Sequence, residues 1–406
     1  MTKQPPNLIT AIDLGSAKTF VLVAEAGETG LRYLAHGSVE SKGSRKGAIA
    51  DLEKAAASIQ KAVERAEGSC GFAIDSAFVG IGGSHVRGLN SRGGIPLGSR
   101  PREVAREDIR AAVEKARSLS LPPDWHVLHL LPQEFIVDDQ NSIRDPAGML
   151  GAKLEVQVHV ITGIANVTQN AVTALNRAGI EVQDTIFEPL AAADCVLKSD
   201  ERELGVALVD IGAGSSELVV YHEGVVIHSG VVPIGGDHFT NDVAVGLRTP
   251  LTDAEKIKKI FGSAVVTRVP EGNEIEVPAV GDRPSRLMPQ RFVAEILEPR
   301  ARELFEHVRE NLRQGRVLDR CATGSVLIGG GAKLAHIAEI AESVLRRPAR
   351  IGRPAPMAKM PEDLVEPEFA TAIGLISYAN RARFLRHKDD VGISARLRSF
   401  LARASM

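Results

Sequence analysis

A pattern that occurs twice constrains this chain more than any other feature. Near the start, the apolar run Leu8–Ile12 leads into Asp13-Leu14-Gly15-Ser16, a second run follows at Phe20–Val23, and a turn falls at Gly27. Near the middle, Gly205–Val209 leads into Asp210-Ile211-Gly212-Ala213-Gly214, a second run follows at Leu218–Tyr221, and a turn falls at Gly224. Each copy reads strand, Asp-x-Gly turn, strand, Gly turn, strand. The interval from Asp13 to Gly27 equals that from Asp210 to Gly224. One such pattern is an ordinary hairpin. Two in matched register predict two related lobes.

At 406 residues the chain is too long for one ordinary core and should divide into subdomains. Its 44% hydrophobic and 25% charged content is that of a soluble globular protein. The net charge of −2 supplies no global basic field, so no nucleic-acid partner is expected. Cys70, Cys195 and Cys321 stand far apart, without metal-ligand spacing, which fits a reducing cytosol. The start is polar (Thr2 to Pro6), so no export signal is read there. No apolar run approaches the roughly 20 residues that span a bilayer, so any membrane contact must be made from the surface or through an anchor.

Helices follow each copy. Asp51 is placed to cap a helix that runs through Glu67 and ends at Gly68, with Leu52, Ala55, Ile59, Ala62, Val63 and Ala66 on one face. Gln290–Arg313 reads as helix, with a kink or split at Pro299. Between the copies, Ser84–Thr162 belongs to neither and reads as an inserted α+β unit. It holds a helix near Arg102–Ser118 and a strand at Lys153–Val160. That strand sets Leu154, Val156, Val158 and Val160 on a buried face and Lys153, Glu155, Gln157 and His159 on a wet one. Arg347–Pro367 is proline-rich and reads as an extended connector. A helix from Glu368 to Asn380 follows, and then a charged linker to Asp390.

Three glycine turns each follow an apolar strand: Asp13 to Thr19, Asp210 to Ser216, and Gly329-Gly330-Gly331-Ala332-Lys333. Glycine lets the backbone approach a ligand closely and aim several N–H groups at one oxyanion. Ser16, Ser215 and Ser216 add hydroxyls, and Lys18 adds a positive charge. Asp13 and Asp210 beside bound phosphate make sense only with a divalent cation between them, and magnesium accepts such oxygens while keeping several waters. Two facing turns would then clamp a nucleotide's phosphates. Taken singly, each is equally a plain β-turn, and none has Walker spacing.

With these residues in view, the chain resembles the actin/Hsp70/sugar-kinase superfamily and, within it, the FtsA family. The FtsA likeness rests on Phe78–Val86, Val127–Phe135, Val158–Thr162 and Asp200–Val206, and it extends over nearly the whole chain. It implies an α/β actin-like (ribonuclease H-like) duplicated two-lobe fold with an inserted α+β subdomain in the first lobe. The implied division is 1–83 and 163–195 for the first lobe (1A), 84–162 for the insert (1C), 196–234 and 300–380 for the second lobe (2A), 235–299 for subdomain 2B, 381–391 for a linker and 392–406 for a membrane-targeting helix.

The resemblance also implies site residues. Asp13, Gly15, Ser16 and Lys18 would form phosphate loop 1, and Asp210, Gly212, Gly214, Ser215 and Ser216 phosphate loop 2. Gly235 and Gly236 would lie near the ribose and phosphates, and Gly329, Gly330 and Gly331 against the adenosine, where a strand end opens a helix. Glu255 and Lys258 would contact the adenosine; Thr252-x-x-Glu255 is also a capping box, which would account for that glutamate alone. Glu188, before Pro189, would orient the attacking water, or simply begin a helix. ATP and magnesium are the implied cofactors, with Asp13 and Asp210 holding the metal through water. Ser215-Ser216 and Glu217 depart from the commonest pattern of glycine or threonine followed by aspartate, which leaves binding in place and allows at most a weak ATPase.

At the end, Gly392–Ala404 sets Ile393, Leu397, Phe400 and Leu401 on one helical face, flanked by Arg396, Arg398 and Arg403. A basic amphipathic helix of this kind lies in the headgroup plane of an anionic membrane; the alternative is a helix docked on the protein's own core. Four apolar side chains are worth roughly 6–12 kcal/mol gross when fully buried, less the cost of ordering a short helix. One tail is therefore a marginal anchor, and several on one polymer a strong one. The resemblance implies self-association into filaments, attachment of the tubulin-like division protein FtsZ through the lower second lobe, other division partners through the insert, and a place at the septum on the cytoplasmic face of the membrane. Two other readings share the lobes: a PilM-like module of type IV pilus assembly, and a small-molecule kinase or phosphatase.

Overall fold

The computed structural model describes residues 7–28, 30–281 and 283–388. The tail predicted at 392–406, with Ile393, Arg396, Leu397, Arg398, Phe400 and Leu401, lies outside the described residues.

The duplication is realised strand for strand. In the first lobe, Leu8–Leu14 pairs antiparallel with Lys18–Gly27, which pairs antiparallel with Gly30–Glu40. On its other side Leu8–Leu14 runs parallel to Ser76–Ile81, and that strand parallel to Glu181–Phe187. In the second lobe, Val206–Ile211, Ser216–His222, Val225–Val232, Ser325–Ile328 and Ala349–Ile351 repeat the same order and directions. The registers match too: Asp13 lies opposite Phe20 in its ladder, and Asp210 opposite Glu217.

Both sheets are covered on both faces, which explains the near-continuous apolar runs. Side chains alternate across a strand. Ile9 and Ala11 thus enter a core shared by the lobes, and Ile12 an outer core under the Leu52–Cys70 and Ala165–Arg177 helices. Val206 and Leu208 enter the shared core from the other side, while Ala207, Val209 and Ile211 pack under the helices of the second lobe. Two helices, Glu188–Val196 and Ala370–Lys388, fill the space between the sheets. Small residues let them approach closely: a Cβ on Gly374 would strike the Ala191 backbone.

The insert is a four-stranded antiparallel sheet, ordered Gln140–Ile143, Trp125–Val137, Lys153–Ile164, Val86–Pro96. The Arg106–Arg117 helix covers one face, where Leu154, Val156, Val158 and Val160 are buried as the alternation predicts. The other face is not wet throughout. His159 is 1% exposed, because the edge strand Val225–Val232 of the second lobe packs over it. Its ring nitrogens meet Ser229 Oγ at 2.8 Å and Asn90 Oδ1 at 2.7 Å.

Other expectations are corrected at their boundaries. Asp51 Oδ1 does accept the Lys54 N–H at 3.1 Å, but Gly68 stays helical and the stop is Gly71, at φ 83°. Arg102–Glu103 is a short strand before its helix. The Gln290–Gln314 helix runs unbroken through Pro299. The proline-rich connector contributes the strand Ala349–Ile351 to the second sheet. The last helix continues to Lys388, so the stretch read as linker from Arg381 begins as helix. Among the described residues, no helix is long and apolar enough to cross a membrane.

Candidate functional site

A cleft of about 600 Å³ opens between the lobes, and the three glycine turns line it. The first lobe contributes Asp13, Gly15, Ser16 and Lys18, and the second Asp210, Gly212, Gly214 and Ser215. Each aspartate is held by its hairpin one pair below the last of the ladder. Gly236, Glu255, Lys258, Gly329, Gly330, Gly331 and Glu188 complete the predicted residues found in its wall.

Two predicted residues stand outside it. Ser216 Oγ donates to the Ile234 carbonyl at 2.7 Å, which turns the hydroxyl into the protein. Gly235 serves as the N-cap of the Gly236–Leu247 helix and donates its N–H to His238 Nδ1 at 3.1 Å.

The third turn is tightly specified. Gly329 has φ 83°, and a Cβ there would overlap Asp210 Oδ1 and lie 2.6 Å from the Ile211 carbonyl oxygen. The segment after it, Gly330–Lys333, is a 3-10 turn rather than the opening of an α-helix. Glu255 is not part of a capping box. The Leu251–Phe261 helix begins before Thr252, and its N-cap is Pro250, without a side-chain cap bond. Instead Glu255 accepts from Thr240 and pairs with Lys258 at 2.7 Å and Lys259 at 3.0 Å. Lys258 also donates to the Gly236 carbonyl at 3.0 Å. Glu188 begins its helix with Pro189 next, and it also lines the cleft.

Four carboxylates converge here. Burial, with Glu217 and Asp13 nearby, pushes Asp210 up to about 8. Burial raises Asp13 to about 6 against the pull of Lys18, and raises Glu217 to about 7 despite its hydrogen bonds. Glu188 lies well above the usual carboxylate range, first through burial and then through Asp13, Glu217 and Asp210. Lys18 opposes this charge at Asp13. Lys18 pairs with Glu368 at 3.3 Å and lies 3.7 Å over the Phe369 ring, and Lys333 pairs with the same Glu368 at 2.9 Å. Among the described residues, no three His, Cys, Asp or Glu side chains are grouped to hold a metal by themselves.

Several lining residues were not singled out from the sequence as site residues. Glu217 accepts Ser215 Oγ at 2.7 Å and, across the lobes, the Gly83 N–H at 3.0 Å. Gly82 could have been found by extending the duplication: Ile12 runs beside Val79 as Val209 runs beside Leu327, which sets Gly82-Gly83 where Gly330-Gly331 stand. Glu368 and Thr371 carry no local signal. Thr371 Oγ1 reaches Asp210 Oδ2 at 3.1 Å only because the last helix returns between the lobes.

Comparison with known proteins follows this architecture. The family model described as "Cell division protein FtsA" matches residues 207–374, and "SHS2 domain inserted in FTSA" matches residues 83–162. The cell division protein FtsA of Pseudomonas aeruginosa is 40% identical over 376 residues, covering 92% of this chain and 90% of that protein. The chain belongs to the FtsA family. The FtsA proteins of Escherichia coli and Bacillus subtilis are 36% and 35% identical, each across 92% of the chain and 91% and 84% of their own lengths. Among solved structures, a PilM–PilN type IV pilus biogenesis complex superposes with TM-score 0.66 at 18% identity, covering 91% of this chain and 97% of that one. MreB5 of Spiroplasma citri bound to ADP superposes with TM-score 0.53 at 15% identity, covering 95% and 99%. At such identities the structures establish the actin-like fold, while the FtsA relatives make this a cell division protein.

Proposed function

We propose that the cleft binds Mg·ATP, with the two hairpin turns around the phosphates and the Gly329–Gly331 turn against the adenosine. One observation carries the reading: equivalent aspartates reach a single cleft from equivalent turns of two repeated lobes. The crowding of Asp13, Glu188, Asp210 and Glu217 is of the kind a hydrated divalent cation relieves. Asp13 and Asp210 would hold magnesium through water, Lys18 would leave Glu368 for a phosphate, and Glu188 would orient water for a weak hydrolysis. Ser216 and Gly235 would support their turns without touching the nucleotide. Titration calorimetry of the full chain with millimolar Mg·ATP should give saturable heat, which Asp210→Ala abolishes. No heat from the unaltered chain would end this reading.

As an FtsA-family protein, the chain would anchor FtsZ to the cytoplasmic face of the membrane at the septum. Residues 392–406 would supply the lipid contact, self-association the avidity, and the insert contacts to other division proteins. We assign the FtsZ tail to the groove at the edge of subdomain 2B lined by Asn241, Val245, Gly246, Ile296 and Arg300, the last paired with Asp242 at 2.6 Å. Removing residues 392–406 should leave nucleotide binding intact and stop sedimentation with anionic vesicles. Continued sedimentation would reject the tail as the anchor. A pull-down that captures a pilus membrane protein and not FtsZ would favour the PilM-like alternative, which rests on fold alone.

A further inference from the structure

A small second cavity adjoins the cleft and shares Leu14, Gly47, Gly82 and Glu188 with its wall. About 20 Å³ of it is open to a water molecule, and Glu188 stands in the walls of both spaces. His85 is also in its wall. This residue is 7% exposed, and neither ring nitrogen has a hydrogen-bond partner within the protein. Buried polar groups are nearly always partnered, because leaving one unpaired costs about 1–3 kcal/mol. Roughly 10–15 Å³ is enough for one water, provided at least two polar groups reach it. His85 and Glu188 are two such polar residues in its wall.

We infer that one buried water bridges a ring nitrogen of His85 to the Glu188 carboxylate, and that His85 thereby acts as a positioning residue for Glu188. The inference rests on the Mg·ATP reading above. Glu188 needs such a tether. Its charged neighbours are Asp13, Glu217 and Asp210, all of which repel it. On the strand side it is confined by the absence of side chains: a Cβ at Gly82 would lie 2.5 Å from Glu188 Oε2, and one at Gly80 3.0 Å from its Cγ. Glycine at both places lets the carboxyl lie flat against the strand end, and the cavity is the side left for a donor. Burial, with His126 adding to it, holds His85 down to about 4, so the ring is neutral and offers one donor and one acceptor. A water so held can give its hydrogen to one Glu188 oxygen and leave the other facing the cleft.

The test uses the full chain with His85→Leu and His85→Gln. Mg·ATP affinity is read by calorimetry, and hydrolysis by steady-state and single-turnover assays. The leucine variant should lose about tenfold in kcat with KM and nucleotide affinity unchanged, and glutamine, which both donates and accepts, should recover most of it. Equal kcat in all three chains overturns the inference, as does an unaltered chain that binds Mg·ATP and turns none over. A chain that takes up no Mg·ATP overturns the underlying reading instead, before any variant is compared. Should the leucine variant fail to fold, a crystal structure ordering buried waters decides: a single peak within hydrogen-bond reach of His85 and Glu188 is expected, and a dry cavity refutes it.

Discussion

The two hairpins share a backbone and differ in charge. Where the first carries Lys18 in its turn and Phe20 in its ladder, the second carries Ser215 and Glu217 at the matching places. Phe20 is buried against Phe369, with ring centroids 4.8 Å apart, under the Lys18 ammonium. Glu217 is equally buried but holds Ser215 and the opposite lobe's Gly83. The repeat therefore preserves what positions a turn, while the residues beside it diverge: one jaw carries an ammonium and the other a second carboxyl. A symmetric scaffold can grip an asymmetric ligand in this way. The asymmetry also predicts which substitutions will matter on each side.

The largest loss should come from Gly329→Ala. The backbone at φ 83° and ψ 173°, a conformation essentially reserved for glycine, alone costs an alanine about 1–3 kcal/mol. The new methyl would also press on Asp210 and on the Ile211 carbonyl, and the latter cannot swing away. A loss of about 4 kcal/mol in chemical denaturation is expected, and an unchanged midpoint would show the third turn to be far softer than its contacts imply.

The aspartates come next. A carboxyl raised from 3.8 to about 8 keeps its proton in the folded state while the unfolded chain has released it. Stability therefore falls as pH rises through that window, and levels off above it. Asp210→Asn removes the effect. In metal-free buffer it should match the unaltered chain near pH 4 and exceed it near pH 8 by roughly 5 kcal/mol. Asp13, raised only to about 6, should give a smaller gain that is complete by about pH 7. Equal gains from the two would mean that the lobes bury their aspartates alike. Lys18→Met should weaken Mg·ATP about tenfold by calorimetry, and Ser215→Ala, which removes no charge, by less. The Lys18–Glu368 pair is about a quarter exposed on each side, so its loss alone costs at most about 1 kcal/mol of stability.

What could be read beforehand was what repeats locally. The Asp-x-Gly turns, their strands and the insert's alternation all follow from short-range rules of period and turn chemistry. Tertiary packing decided the rest. His159 continues a wet face by sequence, yet a strand from the other lobe covers it. Ser216 carries the hydroxyl a phosphate loop would use, yet the Ile234 carbonyl takes it. Glu368 and Thr371 reach the cleft from the end of the chain, and no nearby residue marks them. Glu255 fits a capping pattern that the helix, starting earlier, leaves unused.

The smallest effects should come from Gly82 and Gly330, which the strand registers set at equivalent places. A Cβ on Gly330 meets nothing within 4 Å, whereas one on Gly82 meets the Glu188 carboxylate. Neither residue has the positive φ of Gly329. Gly330→Ala should therefore change folding stability by no more than about 0.5 kcal/mol. Gly82→Ala should cost slightly more, about 1 kcal/mol, because only the far end of a flexible side chain has to move. Yet that movement takes Glu188 away from the place where it faces the cleft. Thermal unfolding should barely separate the two variants, while hydrolysis should separate them clearly, with Gly82→Ala the slower. If both hydrolyse alike, the position of Glu188 has no bearing on turnover, and the first lobe's glycine is there for packing alone.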